Sequence, residues 1–173
     1  ERGMQSARTK PVESDWREHY QRRLTSAEAA IAHVQAGDHV WISLGQQVGI
    51  LVAALIERAA AAPPIALSSI GGADDLSWYT DEVAAQLRLN VRFAGPYTRG
   101  PVNEFRADFT PWWVWGDHKA LDEGRPGARP IDVALIRVSP PNKHGYCCFG
   151  NVLWDVKPAA RRAGTVIAVV SEN

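Results

Sequence analysis

The sequence is poor in cysteine, and the two cysteines it has are poorly placed for a bridge. Cys147 and Cys148 are adjacent, and neighbouring residues of a strand point to opposite faces, so they do not suggest a disulfide with each other. The spacing of cysteine and histidine matches no zinc motif. We therefore expect no metal site and no disulfide between these two residues.

Long apolar runs and an excess of charge are also missing. No apolar run is long enough to span a bilayer, and residues 1–4 lack the charged-then-apolar layout of a secretion signal. The 19 basic residues cancel the 19 acidic residues, which argues against an overall field that attracts nucleic acid. We expect a cytoplasmic protein that binds neither membranes nor nucleic acid.

The composition indicates a folded domain of ordinary size. The 173 residues are 46% hydrophobic and 22% charged, which are globular values and suffice for one buried core. Residues 1–13 are polar and without periodicity, and we interpret them as a flexible leader. Residues 14–173 are predicted to form a single domain.

Short apolar segments alternate with helical runs, and this alternation is typical of an α/β fold with a mostly parallel sheet flanked by helices. Predicted strands are 39–44, 65–70, 91–94, 108–110, 131–138 and 165–170, with 146–149 as a short strand or strand edge. Predicted helices are 15–22, 25–35, 50–62, 82–88, 117–123 and 155–162, the last capped by Asp155. Segment 165–170 is apolar throughout, and such strands are usually covered on both faces, so we expect another polypeptide to shelter it.

The segment Gly45-Gln46-Gln47-Val48-Gly49 joins a predicted strand to a predicted helix. Such a layout exposes backbone N–H groups at a helix N-terminus, where they bind anions or stabilise an oxyanion. The segment lacks the lysine-serine ending of a Walker loop and the spacing of a dinucleotide fingerprint. A purely structural turn is the more frequent meaning of such a pattern, so both interpretations stay open.

Further polar or glycine-rich turns follow the other predicted strands. Gly71 follows the second strand, Arg99 the third, and His144 the strand at 131–138. Because parallel strands place their carboxyl ends at one edge, these residues are candidates for the same site. Arg99 suits a phosphate or carboxylate, although most single loop arginines are solvated. The Ser-Pro-Pro-Asn turn before His144 likewise needs no function to explain it.

Tryptophan is concentrated in one place. Trp112, Trp113 and Trp115 lie within four residues and carry a large apolar surface. Core filling or a partner surface explains this cluster more simply than a substrate platform.

Four motifs together carry a resemblance to a known family. They are Phe93-Ala94-Gly95-Pro96-Tyr97-Thr98-Arg99, Asp108-Phe109-Thr110-Pro111, the stretch from Ile131 through Ser139-Pro140-Pro141-Asn142 to His144-Gly145-Tyr146, and Val166-Ile167-Ala168-Val169-Val170-Ser171-Glu172-Asn173. They resemble the N-terminal domain of the acetyl-CoA hydrolase/transferase family, which includes 4-hydroxybutyrate CoA-transferases. The resemblance implies a CoA-transferase-like (NagB/RpiA-like) α/β domain.

The resemblance also implies acyl-CoA chemistry. In that family a glutamate of the second domain attacks the thioester and carries CoA as a glutamyl thioester, and a carboxylate or water completes the reaction. No acid of this chain matches that glutamate's motif. The expectation is a subunit of a split CoA-transferase or acyl-CoA hydrolase, with a CoA thioester as substrate and a second chain that supplies the glutamate and most CoA contacts.

By the same resemblance, residues 45–49 lie over the acyl group. The implied oxyanion and acyl-contacting residues are Gln46, Gln47 and Gly49, and the implied substrate-binding residues are Gly45, Val48, Gly71, Arg99 and His144. The two glutamines replace small or aromatic residues of the family, and Asn142 replaces its usual acid.

Those departures keep two alternatives open. One is a divergent member that hydrolyses, dehydrates or rearranges an acyl thioester in a biosynthetic pathway. The other is a non-catalytic scaffolding subunit.

Overall fold

The computed structural model describes residues 16–69, 76–111, 115–150 and 153–171. The strands are β1 His39–Ile42, β2 Ile65–Ser69, β3 Leu87–Val91, β4 Asp108–Phe109, β5 Val133–Val138 and β6 Thr165–Val170. The helices are α1 Trp16–Arg23, α2 Ala27–Ile31, α3 Gly49–Ala61, α4 Asp81–Gln86, α5 Arg99–Asn103, α6 Gly116–Asp122 and α7 Val156–Arg162. The predicted leader, Gly71 and the pair Trp112–Trp113 lie outside the described residues.

Six strands form one sheet in the order β4-β3-β2-β1-β5-β6, and every described pair is parallel. This confirms the predicted α/β class. From β1 the chain builds outward through β2, β3 and β4, and then returns to place β5 on the other side of β1. The sheet therefore has a topological switch point between β1 and β5, and open parallel sheets bind ligands in the crevice that such a point creates.

One face of the sheet is apolar and carries the main core. Leu67 of β2 is level with Val40 of β1 and with Leu89 of β3, and all three are buried. Helices α2, α3 and α4 cover this face, with Ile31 and Leu55 among the side chains that fill it. Each such buried aliphatic side chain contributes about 1.5–3 kcal/mol of transfer free energy.

The opposite face combines a smaller core with a row of polar side chains. Ala134 and Ile136 of β5 pack there with Val156 and Ala159 of α7. The polar row crosses three strands, because Trp41 is level with Ser68, and Ser68 is level with Asn90. The sheet is thus covered on both sides around β1 and β5.

His39 lies two residues before Trp41 on β1 and is held at both ring nitrogens. Its Nδ1 lies 2.7 Å from the Pro130 carbonyl oxygen, and its Nε2 lies 2.8 Å from the Ser68 hydroxyl. A carbonyl only accepts, so Nδ1 carries the proton and neutral Nε2 accepts from Ser68. Burial lowers the pKa of His39, and the Pro130 hydrogen bond partly opposes that shift.

We expect His39 to make the protein less stable in mild acid. Its lowered pKa means that the unfolded chain takes up a proton first, so the free energy of unfolding falls as pH drops below about 6.5. The slope from this residue is at most about 1.4 kcal/mol per pH unit. Urea unfolding between pH 7.5 and 5.5 should show a shallower slope in His39→Gln than in the wild type. Equal slopes for the wild type and His39→Gln would contradict this account.

Two predicted strands differ from the structure. The third was predicted at 91–94 but spans Leu87–Val91, because α4 ends early and Leu87, Leu89 and Val91 alternate inward. Residues 146–149 are not a strand, since they fold back on the turn that follows β5.

Side chains cap two of the helices, whereas the cap predicted at Asp155 is not made. Ser26 caps α2 by accepting from the Ala29 N–H, and Thr80 caps α4 by accepting from the Val83 N–H. Asp155 stands at the start of α7 but makes no cap bond with its side chain, because its carboxylate is directed into the core.

Strand β6 is the outermost strand on its side of the described sheet. Its Val166 is 43% exposed, while Ile167 on the other face is buried. In the described part of the chain, no helix has the length and apolar character needed to cross a membrane.

Candidate active site

The loop between β1 and α3, residues 45–49, lies at the switch point and is called here the switch-point loop. Gly45 adopts a positive φ of 72°, a conformation that costs other residues about 1–2 kcal/mol. Gln46 and Val48 are buried, at 4% and 2% exposure, whereas Gly45, Gln47 and Gly49 are exposed. Two buried side chains therefore anchor a loop whose remaining positions face outward.

The switch-point loop presents a row of backbone donors. Helix α3 begins at Gly49, its N-cap Val48 makes no side-chain cap bond, and its first turn contains no acid. No hydrogen bond among the described residues uses the N–H groups of residues 47–50. These donors lie at the positive end of the α3 dipole, and such a group of donors suits a carboxylate, a phosphate or a developing oxyanion.

Arg137, the fifth residue of β5, ties the switch-point loop to the neighbouring strands. Its backbone N–H donates to Gln46 Oε1 at 2.7 Å, which extends the β1–β5 ladder beyond the end of β1. Its guanidinium donates from Nη1 to Gln47 Oε1 and from Nη2 to Ser171 Oγ at 2.8 Å. The ends of β1, β5 and β6 are thereby joined through one side chain.

The turn after β5 is held by its own polar side chains. Asn142 Oδ1 accepts from the backbone N–H groups of His144 and Tyr146, at 2.9 and 3.1 Å. Ser139 Oγ accepts from the Cys148 N–H at 2.9 Å. The turn therefore has a fixed shape beside the switch-point loop, and His144 is exposed on it.

The predicted site residues fall into two groups. Gly45 to Gly49 form one loop, and His144 lies on the turn of the adjacent strand β5. Arg99 is more distant, because it begins α5 after β3, and β2 separates β3 from β1. Arg99 is exposed and contacts the Ala94 carbonyl at 3.5 Å. Gly71 lies outside the described residues.

Charged and aromatic side chains form a cluster around Trp41 of β1. Asp155 is fully buried, and its Oδ2 accepts from Trp41 Nε1 at 2.9 Å and lies 3.4 Å from His118 Nε2. Arg92 lies 5.6 Å from the Trp41 ring centre and 3.4 Å from Asp117. Burial lowers the pKa of Arg92, and Asp117 partly opposes the shift. This network fixes the starts of α6 and α7.

Large apolar side chains surround the carboxyl edge of the sheet, and each is at least half exposed. They are Ile50, Phe93, Tyr97, Trp115, Tyr146, Leu153 and Trp154. They follow the ends of β1, β3, β4 and β5. A concentration of exposed aromatic surface on one edge is typical of a surface that another polypeptide covers.

Neither metal ligands nor a disulfide are assembled by the described residues. No group of three or more His, Cys, Asp or Glu side chains among them is placed to hold a metal ion. Cys147 and Cys148 are free and exposed, and partial burial raises the pKa of the Cys147 thiol.

Comparison with known proteins identifies the family of this chain. The family model of the acetyl-CoA hydrolase/transferase N-terminal domain matches residues 6–173. The chain belongs to the acetyl-CoA hydrolase/transferase family. The resemblance found in its motifs is therefore confirmed.

Curated relatives in this family are CoA-transferases. The chain is 34% identical over 161 residues to 4-hydroxybutyrate coenzyme A transferase of Clostridium kluyveri, covering 92% of this chain and 37% of that protein. It is 30% identical over 93 residues to a succinyl-CoA:acetate/propanoyl-CoA:succinate CoA transferase of Fasciola hepatica, covering 54% of this chain and 19% of that protein. The chain thus spans well under half the length of these relatives.

Solved structures share the fold. RipA from Yersinia pestis superposes with a TM-score of 0.71 at 20% identity, over 91% of this chain and 38% of RipA. A 4-hydroxybutyrate CoA-transferase from Porphyromonas gingivalis superposes with a TM-score of 0.55 at 23% identity, over 90% of this chain and 35% of that protein. Both superpositions show a shared fold.

Arg137 contacts the switch-point loop, and the sequence analysis did not identify it. A signal was present, because a charged residue interrupts the apolar run of β5 one position before the strand ends. A charge in that position needs a partner or an opening to solvent. The partners, Gln47 and Ser171, lie 90 and 34 residues away along the chain, so only the fold reveals them.

Proposed function

We propose that this chain supplies the acyl side of a CoA-transferase-type active site. A glutamate on a second chain attacks the acyl-CoA thioester, and the switch-point loop stabilises the negative charge that develops on the carbonyl oxygen. Family membership supports this class of reaction, with acyl-CoA as the proposed substrate.

The backbone donors of residues 47–50 are the observation that carries the proposal. They lie at the switch point, where this type of sheet binds ligands, and no described residue occupies them. Backbone donors of this kind can stabilise a tetrahedral thioester intermediate, in which one well-placed donor is worth about 3–4 kcal/mol of activation free energy. Because the donors are backbone groups, they are in place before the substrate arrives.

A second, glutamate-bearing chain is proposed as the partner. Two features support it: the exposed apolar side chains around the carboxyl edge, and the outermost strand β6 with its exposed Val166. The relatives also contain additional sequence that this chain does not match. The partner would close the crevice and bring the CoA contacts.

The test is to trap the covalent intermediate. We expect the complex, incubated with acyl-CoA and then reduced or digested for mass spectrometry, to carry CoA on a glutamate of the partner. This chain purified alone should transfer no acyl group and release no CoA. Transfer to a carboxylate acceptor would identify a CoA-transferase, and CoA release with water alone would identify a hydrolase. Thioester turnover by the isolated chain would overturn the two-chain arrangement.

A further inference from the structure

We infer that Arg137 orients the side-chain amide of Gln47, and that this makes Gln47 a hydrogen-bond donor that selects acyl groups carrying an oxygen acceptor. The inference rests on the proposed function, since it assumes that the switch-point loop lies over the acyl group. It assigns the selection of the acyl group to Gln47 and the positioning of Gln47 to Arg137.

The chemistry of the guanidinium determines the direction of the amide. Arginine has five N–H donors and no acceptor. An amide that meets a guanidinium must therefore turn its oxygen toward it, and Gln47 does so, with Oε1 accepting from Arg137 Nη1. The amide nitrogen of Gln47, which is a donor only, then points away from Arg137.

Arg137 is itself fixed, so its effect on Gln47 is specific. Its backbone N–H is held by Gln46 Oε1, and its second terminal nitrogen donates to Ser171. The guanidinium therefore contacts the switch-point loop through Gln47 and the end of β6 through Ser171. A fixed donor fork imposes one amide orientation, whereas a mobile one would allow several.

Gln47 is well placed to reach a ligand. It is exposed between the buried anchors Gln46 and Val48, and no hydrogen bond among the described residues uses its amide nitrogen. It also lies beside the free backbone donors that would hold the thioester oxygen. An acceptor on the acyl chain, such as a keto oxygen, would complete the geometry.

Two thioesters of equal chain length test the inference. Acetoacetyl-CoA carries an extra oxygen that only accepts, and butyryl-CoA lacks it. We expect the wild-type complex to bind acetoacetyl-CoA about ten-fold more tightly than butyryl-CoA in titration calorimetry. Gln47→Glu keeps an oxygen for Arg137 but removes the donor, so the preference for acetoacetyl-CoA over butyryl-CoA should disappear.

Variants at position 137 test the positioning role separately. Arg137→Lys still presents only donors and should preserve the preference. Arg137→Gln presents both a donor and an acceptor, so Gln47 can turn over and the preference should fall several-fold. Melting curves that match the wild type would show that each variant is folded.

The other outcomes of these titrations decide against the inference on Gln47, against the proposed function, or against both. An unchanged preference in Gln47→Glu overturns the inference, and so does an equal loss for both thioesters, because the donor would then serve the shared thioester group. A wild-type complex that binds neither thioester overturns the proposed function and the inference with it. Binding of both thioesters without a preference leaves the proposed function standing and overturns only the inference.

Discussion

Replacing Gly49 with valine is expected to lower the turnover number of the complex by about 100-fold or more, with little change in stability. A β-carbon at Gly49 would meet no atom within 4 Å, so the fold has room for the side chain. The added isopropyl group would stand beside the free N–H groups of residues 47–50 and keep the carbonyl oxygen from them. Loss of one oxyanion donor typically costs 10²–10³ in turnover.

The matched control places a valine at the other end of the same helix. Ala60 is exposed in the last turn of α3, and Ala60→Val should retain wild-type turnover. Steady-state kinetics and melting curves of the two variants make the comparison. If both variants turned over acyl-CoA equally fast, the switch-point loop would not be the oxyanion site.

Replacing Asp155 with alanine is expected to lower the free energy of unfolding by about 2–4 kcal/mol. The carboxylate is fully buried, and it is the acceptor for the indole N–H of Trp41. Its removal leaves that buried donor without a partner, leaves a space beside His118, and removes one link between the start of α7 and β1. Urea unfolding monitored by tryptophan fluorescence gives the measurement.

Asp122→Ala is the control for this change. Asp122 is exposed and pairs with Arg162 at 2.6 Å, and the Arg162 hydrogen bond lowers the pKa of Asp122. Because solvent screens such a pair, its loss should change the free energy of unfolding far less than the loss of Asp155. If Asp155→Ala lowered the free energy of unfolding as little as Asp122→Ala does, the buried carboxylate would not be important for stability.

The sequence predicted those parts of the fold whose signal is local. Strands β1, β5 and β6 are short apolar runs between glycine, proline or aspartate, and helix α3 is an alanine-rich run that starts after a glycine. The alternation of such segments was enough to predict a parallel sheet. Strand β3 was displaced by four residues because Leu87 to Leu89 also suit the end of a helix, and only pairing with β2 decides between the two.

Local sequence patterns could not predict which side chains contact each other. Asp155 precedes a helix and therefore looks like a cap, but tertiary contact with Trp41, 114 residues away, determines where its carboxylate lies. Gln46 shows the same limit, since its oxygen binds the Arg137 N–H across 91 residues. The switch-point loop itself was predictable, because a strand, a glycine turn and a helix follow each other directly in the chain.

The turn after β5 has a consequence for how the crevice responds to acidity. Asn142 holds it through an amide oxygen that accepts from the N–H groups of His144 and Tyr146. An amide neither gains nor loses a proton between neutral and acidic solution, whereas a carboxylate would be neutralised there and accept less well. The two hydrogen bonds that Asn142 accepts are therefore not weakened by protonation of their acceptor when the solution becomes acidic.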